Sequence, residues 1–123
     1  MRLLIDTHVL LWWLADDPEL ADRYRALIAD ADNEVFVSAM TVAEIAIKSS
    51  LGKLDAPPTL LDALETGGFE TLPFTAAHAQ ALGELPWYHR DPFDRMLVVQ
   101  ARVEGLTLLT TDARIRQYEV SVA

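Results

Sequence analysis

Short, almost continuously apolar runs alternate with helical patterns along this chain, and that alternation constrains its fold more than any other feature. Leu106, Leu108 and Leu109 give one run the character expected of a strand that is buried on both faces. Strands of this kind, separated by helices, predict a three-layer α/β/α domain around a central, mostly parallel sheet of about five strands. The predicted strands are residues 2–5, 34–37, 106–110 and 119–122, with 69–72 as a fifth candidate.

Helical patterns fill the segments between these runs. The predicted helices are residues 7–15, 18–31, 41–51, 59–66, 75–85 and 92–104. The last has the clearest boundaries, because Pro92 occupies its first position and Gly105 follows its end. Asp17 is the predicted N-cap of the second helix, and Thr41 with Glu44 forms a predicted capping box at the third. At 123 residues with no long linker, the chain is expected to form one domain.

Composition excludes several classes of protein. The chain has no cysteine, which excludes disulfides, thiolate zinc sites and a cysteine nucleophile. Asp6 and His8 interrupt the apolar N-terminus, so no signal peptide is expected, and the longest apolar run is too short to span a bilayer. We therefore expect a cytoplasmic protein without a membrane partner. The net charge of −9 argues against attachment to nucleic acid mainly through phosphate neutralisation, but it suits carboxylates gathered around divalent cations.

Four carboxylates stand where α/β folds bind their ligands, at the ends of strands and the starts of helices. Asp6 follows the first strand, and Asp112 follows the 106–110 strand after one residue. Glu44 and Asp94 lie in the first turns of the 41–51 and 92–104 helices. Taken singly, each acid has a structural explanation as a helix cap, as a first-turn acid favoured by the helix dipole or, for Glu44, as the ion-pair partner of Lys48.

Taken together, the four acids predict a metal site. Like charges 4 Å apart repel by about 1 to 4 kcal/mol per pair, depending on the effective dielectric, and capping gives no reason to accept that cost. Two divalent cations would match four carboxylates in charge, and a set of oxygen donors favours Mg²⁺ or Mn²⁺ over zinc. Such a site suits phosphoryl chemistry, since the cations activate a water and stabilise the attacking and leaving oxygens.

Five motifs, taken in order along the chain, resemble the VapC family of PIN-domain ribonucleases, the toxins of type II toxin–antitoxin pairs. The motifs are LIDTHVLLWWL from residue 4, VS at 37–38 with EIAIK at 44–48, LGKL at 51–54, HRDPFDR at 89–95 and GLTLLTTD at 105–112. The resemblance implies that residues 1–123 form a single PIN domain. It implies a Mg²⁺- or Mn²⁺-dependent endoribonuclease that cleaves RNA phosphodiester bonds with a metal-activated water. It also implies a homodimer that is inhibited by a VapB-like antitoxin.

The resemblance also implies roles for individual residues. It assigns the catalytic and metal-binding roles to Asp6, Glu44, Asp94 and Asp112. Thr110 matches a Ser/Thr position beside the site, whereas Asp91 either supports the site or only caps the helix. The sequence departs from the family at Thr111, where many relatives carry an arginine, but the acids are retained.

Basic and aromatic residues near these acids are candidate RNA contacts. Lys48, Arg90 and Arg95 are the first choices. Others near the same edge in sequence are Lys53, Arg114, Arg116, Trp87, Tyr88 and His89. For His8, His78 and His89 the favoured interpretation is structural or peripheral, because a metal-activated water needs no histidine base.

Two alternative functions share the predicted fold. A Mg²⁺-dependent phosphotransfer or phosphatase-like domain would also place acids at strand ends. A phospho-accepting receiver would need an aspartate after a central strand and a lysine after a later one, but Ser38 and Pro73 follow the two strands concerned. A non-catalytic PIN-fold interaction domain would be favoured by the loss of a core acid, and none is lost.

Overall fold

Four parallel strands form the sheet in the computed structural model, which describes all residues 1–123. The strands are β1 (Arg2–Ile5), β2 (Glu34–Ser38), β3 (Glu70–Leu72) and β4 (Thr107–Leu109). They lie in the order β3-β2-β1-β4, and every neighbouring pair is parallel. The predicted parallel sheet is therefore confirmed.

Six helices and two 3₁₀ turns complete the fold. The helices are α1 (Thr7–Leu14), α2 (Asp22–Ala29), α3 (Ala39–Ser50), α4 (Leu60–Thr66), α5 (Ala76–Ala81) and α6 (Pro92–Glu104). The 3₁₀ turns are Leu82–Glu84 and Ile115–Gln117. None of the helices has the length and apolarity that a bilayer crossing requires.

Apolar side chains leave both faces of the sheet, because alternate residues of a strand point to opposite sides. Leu3 and Ile5 of β1 pack in one core cluster together with Val9 of α1. Leu4, between them in sequence, packs in the second cluster together with Leu97 of α6. The predicted three-layer α/β/α arrangement is confirmed by these two cores.

The order in which strands are added to the sheet reverses between β1 and β4. It builds β2 and then β3 on one side of β1, and it returns to place β4 on the other side. Ile5 pairs with Leu109, and the Asp6 amide donates to the Leu109 carbonyl at 3.1 Å. A crevice at the carboxyl ends of two such strands is where parallel α/β sheets bind ligands.

The structure differs from the sequence-based expectations in three local details. The fifth candidate, at residues 69–72, is present as β3, whereas the strand predicted at residues 119–122 is reduced to one parallel bridge between Leu108 and Val122. The second helix begins at Asp22 rather than at residue 18, because Asp17 accepts from the Glu19 amide at 2.9 Å and thereby starts a separate turn. The capping box predicted at residues 41–44 is wrong. Ser38, the last residue of β2, caps α3 instead by accepting from the Met40 amide at 3.0 Å.

Candidate active site

The four predicted acids line one pocket of about 270 Å³ beside the carboxyl ends of β1 and β4. Trp12 is the only apolar residue in its lining. The full lining is Asp6, Thr7, His8, Trp12, Glu44, Lys48, Asp91, Asp94, Thr111, Asp112 and Arg114. Strand ends and helix starts that are far apart in sequence therefore bring five carboxylates together.

Asp6 is the most deeply enclosed aspartate of the pocket. Its Oδ1 accepts from the Val9 amide at 2.9 Å, so the carboxylate caps α1 while it faces the pocket. Burial raises the pKa of Asp6, and the charge of Asp112 adds to the rise. Hydrogen bonds from the Thr110 side chain and the Val9 amide offset part of that rise in the pKa. Asp6 thus combines a structural role with a carboxylate that is costly to ionise.

Glu44 is buried and held from two directions. The Thr7 hydroxyl donates to Glu44 Oε1 at 2.5 Å, and Lys48 Nζ donates to Oε2 at 2.6 Å. This ion pair is the one expected from the i,i+4 spacing on a helix. The hydrogen bond to Glu44 is the main cause of a raised pKa at Lys48. Sequence reasoning missed Thr7, although its place directly after Asp6 puts it at the same strand end.

Asp94 lies in the first turn of α6, which Asp91 caps. Asp91 Oδ1 accepts from the Phe93 and Asp94 amides at 2.9 Å and 3.2 Å. Asp94 Oδ2 lies 3.3 Å from His89 Nε2 and 3.5 Å from Arg114 Nη2. Burial, followed by the negative charge of Asp91, raises the pKa of Asp94 from its ordinary value of 3.8 to about 6. His89, interpreted from sequence as structural or peripheral, therefore contacts an acid of the pocket directly.

Asp112 is bound by a residue that follows it closely in sequence. Arg114 Nη2 donates to Asp112 Oδ2 at 2.8 Å, and the Arg114 amide donates to Oδ1 at 2.9 Å. The hydrogen bond from the Arg114 side chain is the main cause of a lowered pKa at Asp112. Because Arg114 also approaches Asp94, its guanidinium bridges two of the four acids.

The chemistry of this donor set fits a hard divalent cation. The pocket offers five carboxylates against two permanently charged side chains, Lys48 and Arg114, and it contains no sulfur ligand. No three acidic or histidine side chains are close enough together to hold an ion as they stand. Protein donors contact the carboxylates instead, and two of these donors, the side chains of Lys48 and Arg114, are 34% and 57% exposed.

The predicted RNA contacts divide into two groups. Lys48 lines the pocket, and Arg90 is exposed with its guanidinium 6.0 Å from the Trp87 ring. The prediction for Arg95 is wrong, because its side chain is buried and donates to the Pro86 carbonyl at 2.7 Å. It also donates to the carbonyl of residue 85 at 3.1 Å, and only 3% of the residue is exposed for contact with RNA. Lys53 and Arg116 do not line the pocket.

Comparison with known proteins places this chain in a family. The model of the PIN domain matches residues 3–120. Ribonuclease VapC22 of Mycobacterium tuberculosis (strain ATCC 25618 / H37Rv) is 31% identical in an alignment that covers 94% of this chain and 91% of that protein.

Solved structures share the whole fold. VapBC2 from Rickettsia felis, bound to a promoter DNA fragment, has a TM-score of 0.73 at 16% identity and covers 100% of this chain and 98% of its own. FitAcB from Neisseria gonorrhoeae has a TM-score of 0.67 at 21% identity, with coverages of 98% and 95%. The family model, the ribonuclease relative and the common fold agree along nearly the whole length, and this chain therefore belongs to the PIN-domain family, with a VapC ribonuclease among its relatives.

Proposed function

We propose that this protein is a Mg²⁺- or Mn²⁺-dependent endoribonuclease that acts as the toxin of a type II toxin–antitoxin pair. The observation that carries the proposal is the convergence of Asp6, Glu44, Asp94 and Asp112 on one polar pocket at the crevice between β1 and β4. The similarity to Ribonuclease VapC22 supports the same reaction. Residues 1–123 act as a single domain in this proposal, since both apolar cores are built on one sheet.

The four acids are the proposed ligands of the divalent cation. A bound cation supplies an activated water and stabilises charge on the phosphate in the transition state. Asp6 and Glu44 contribute carboxylates whose positions are fixed by the Val9 amide and by the Thr7 hydroxyl. Thr110 supports Asp6 through its side chain, and Asp91 supports Asp94 as the cap of α6. These contacts orient the acids before substrate arrives, so less freedom is lost on binding.

Positive side chains at the pocket are proposed to bind the RNA backbone. Lys48 and Arg114 donate to carboxylates in the absence of RNA, and the same donors suit the non-bridging oxygens of a phosphate. Arg90 lies just outside the pocket beside Trp87 and Tyr88, whose side chains are 72% and 52% exposed. Exposed aromatic rings next to a cation suit the stacking of unpaired bases, so the proposed substrate is single-stranded RNA at the cleavage point.

An antitoxin partner is proposed from a second surface. A cleft of about 570 Å³ lies between α3 and residues 56–62, and Val42, Ile45 and Leu60 line it. Two large apolar side chains nearby, Ile47 and Leu61, are at least half exposed. Several solved neighbours are toxin–antitoxin complexes, and an apolar segment of an antitoxin would suit this cleft. A homodimer and a cytoplasmic location belong to the same proposal, and light scattering of the purified protein measures the dimer.

An RNA cleavage assay tests the proposed function. Wild type is compared in EDTA, Mg²⁺ and Mn²⁺ with Asp94→Asn and Asp6→Asn, and cleavage is expected to require the metal and both carboxylates. Asp62→Asn is the matched control, because Asp62 is an exposed first-turn acid of α4 that lies outside the pocket. Full cleavage by Asp94→Asn would overturn the assignment. Phosphate transfer from a small phosphoester without RNA cleavage would favour the phosphotransfer alternative, and absence of metal binding would favour a non-catalytic interaction domain.

A further inference from the structure

A chain of hydrogen bonds runs from the protein interior to Asp94. Arg95 Nη1 lies 3.2 Å from the Tyr118 hydroxyl oxygen. The same hydroxyl lies 2.8 Å from His89 Nδ1, and His89 Nε2 lies 3.3 Å from Asp94 Oδ2. This series of hydrogen bonds therefore links Arg95 and Asp94, which both lie in α6. It passes through Tyr118, which follows the 3₁₀ turn Ile115–Gln117, and through His89, which precedes α6.

The chemistry of these groups fixes the direction of every hydrogen bond. A guanidinium can only donate, so the Tyr118 oxygen accepts from Arg95. The ionised Asp94 carboxylate can only accept, so a neutral His89 carries its ring proton on Nε2 and donates it to Asp94. Nδ1 of that ring is then an acceptor, and the hydroxyl hydrogen of Tyr118 is available to it. The series ends on a carboxylate.

Burial makes this arrangement rigid. The side chain of His89 is 8% exposed, and Tyr118 and Arg95 are 4% and 3% exposed. Arg95 is anchored by two backbone carbonyls and lies 3.7 Å from the centre of the Trp87 ring. Tyr88 packs edge-on against Tyr118 with ring centres 5.0 Å apart. Because solvent hardly reaches these groups, the hydrogen bonds have little competition from water.

We infer that His89 is a positioning residue for Asp94 and that Tyr118 and Arg95 hold His89 in its Nε2–H form. The inference rests on the proposed role of Asp94 as a metal ligand. His89 binds Oδ2, whereas no hydrogen bond is formed by Oδ1, which leaves that oxygen for a ligand in the pocket. Hydrogen-bond partners of metal-binding carboxylates change metal affinity or activity by roughly 10- to 100-fold when they are removed.

The tautomer is tested first, in the metal-free protein, by long-range proton–nitrogen NMR of labelled histidines. A pyridine-like Nδ1 and a pyrrole-like Nε2 are expected for His89. The chain has three histidines, and the spectrum of His89→Gln identifies the signal. His78 serves as an internal reference, since its Nδ1 accepts from the Thr75 amide. A proton on Nδ1 of His89 would overturn the inferred direction of these hydrogen bonds, whatever reaction the protein catalyses.

Matched variants then test the positioning role. His89→Leu removes the donor to Asp94, and we expect the Mn²⁺ dissociation constant to rise roughly 10- to 100-fold and kcat to fall, with KM for RNA unchanged. His89→Gln keeps an N–H donor near the position of Nε2, so it is expected to restore most of the Mn²⁺ affinity. Tyr118→Phe deletes one hydroxyl and keeps the ring, and it should weaken Mn²⁺ binding less than His89→Leu does.

A control variant separates positioning from general damage to the fold. His78→Gln alters another buried histidine that contacts a carboxylate, at 2.8 Å from Glu104 Oε1, and neither residue lines the pocket. It is expected to lower the melting temperature without changing Mn²⁺ affinity. Wild-type Mn²⁺ affinity and kcat in a folded His89→Leu protein would overturn the inference. Failure of wild type itself to bind Mn²⁺ or cleave RNA would instead overturn the proposed function, and a raised KM alone would assign His89 to RNA contact and overturn positioning.

Discussion

Asp94 carries an electrostatic cost in the metal-free protein. Its folded pKa of about 6 lies above the ordinary value of 3.8, so the native state takes up a proton more readily than the unfolded chain. The contribution of Asp94 to stability is therefore fully present below about pH 4 and is lost as the pH rises through about 6. Ionisation of Asp94 therefore lowers the stability of the metal-free fold.

Replacement of Asp94 by asparagine should consequently stabilise the metal-free protein above pH 6 while it abolishes cleavage. The expected gain is on the order of 1–2 kcal/mol, allowing for solvent screening of a side chain that is 21% exposed. Below pH 4 the two proteins should unfold alike. Urea unfolding at several pH values measures the effect, with Asp62→Asn as the control that should show no gain. Equal stabilities of wild type and Asp94→Asn at every pH would show that ionisation of Asp94 does not destabilise the fold.

Arg95 shows how a single residue can mislead a sequence-based prediction. It follows Asp94 directly, and nothing in the sequence indicates that carbonyls of residues 85 and 86 will surround its guanidinium. Arg95→Met should destabilise the protein by about 2 kcal/mol or more, because these acceptors and the Tyr118 hydroxyl lose a charged donor. Arg90→Ala, at an exposed position, should leave the melting temperature unchanged and raise KM for RNA. Thermal unfolding compares the two variants. Equal melting temperatures for Arg95→Met and Arg90→Ala would contradict the buried structural role of Arg95.

Three of the four acids could be predicted because each follows a recognisable element boundary, whereas Glu44, expected in the first turn of its helix, lies in the second turn of α3. Asp6 and Asp112 come after apolar strands, and β1 and β4 are neighbours as the sheet order requires. The contacts of His89 and Arg114 could not be predicted in the same way. They depend on the directions of side chains in irregular segments, which no periodicity of the sequence records.

At the scale of elements, α6 is the best specified part of the molecule. Asp91 caps its start, Pro92 fills its first position, and Gly105 ends it with a left-handed φ of 66°. These three residues explain why the predicted bounds of residues 92–104 are confirmed. Other boundaries were harder to predict because competing local hydrogen bonds decide them. Asp17 starts a turn instead of a helix, and Ser38 caps α3 from inside the strand before it.

The cap of α6 allows the two interpretations of Asp91 to be separated. Asp91→Asn keeps an oxygen acceptor and should retain stability, whereas Asp91→Ala should cost about 1 kcal/mol. Because the negative charge of Asp91 contributes to the raised pKa of Asp94, Asp91→Asn should also weaken the fall in stability between pH 4 and about 6. We expect Asp91→Asn to retain cleavage, as a cap that only positions Asp94 would. Loss of cleavage in a stable Asp91→Asn protein would instead make Asp91 part of the active site.

At the scale of the whole molecule, the fold gathers carboxylates at one crevice of a chain with a net charge of −9. The two apolar cores on the faces of the sheet hold that crevice in place, so the charge repulsion is concentrated at a site with a rigid frame. A cation bound there only in the native state would relieve the repulsion and stabilise the whole domain. The melting temperature of the protein would therefore report such binding.

Mn²⁺ should raise the melting temperature of wild type. At a concentration 100 times the dissociation constant the gain is about 2.7 kcal/mol, which corresponds to roughly 10 °C for a domain of this size. The shift should shrink in Asp6→Asn, which lacks one proposed ligand, and it should persist in Asp62→Asn. It should also shrink below about pH 6 in wild type, because protonation of Asp94 competes with the cation. Differential scanning fluorimetry measures all of these, and equal shifts in wild type and Asp6→Asn would mean that the ion binds elsewhere.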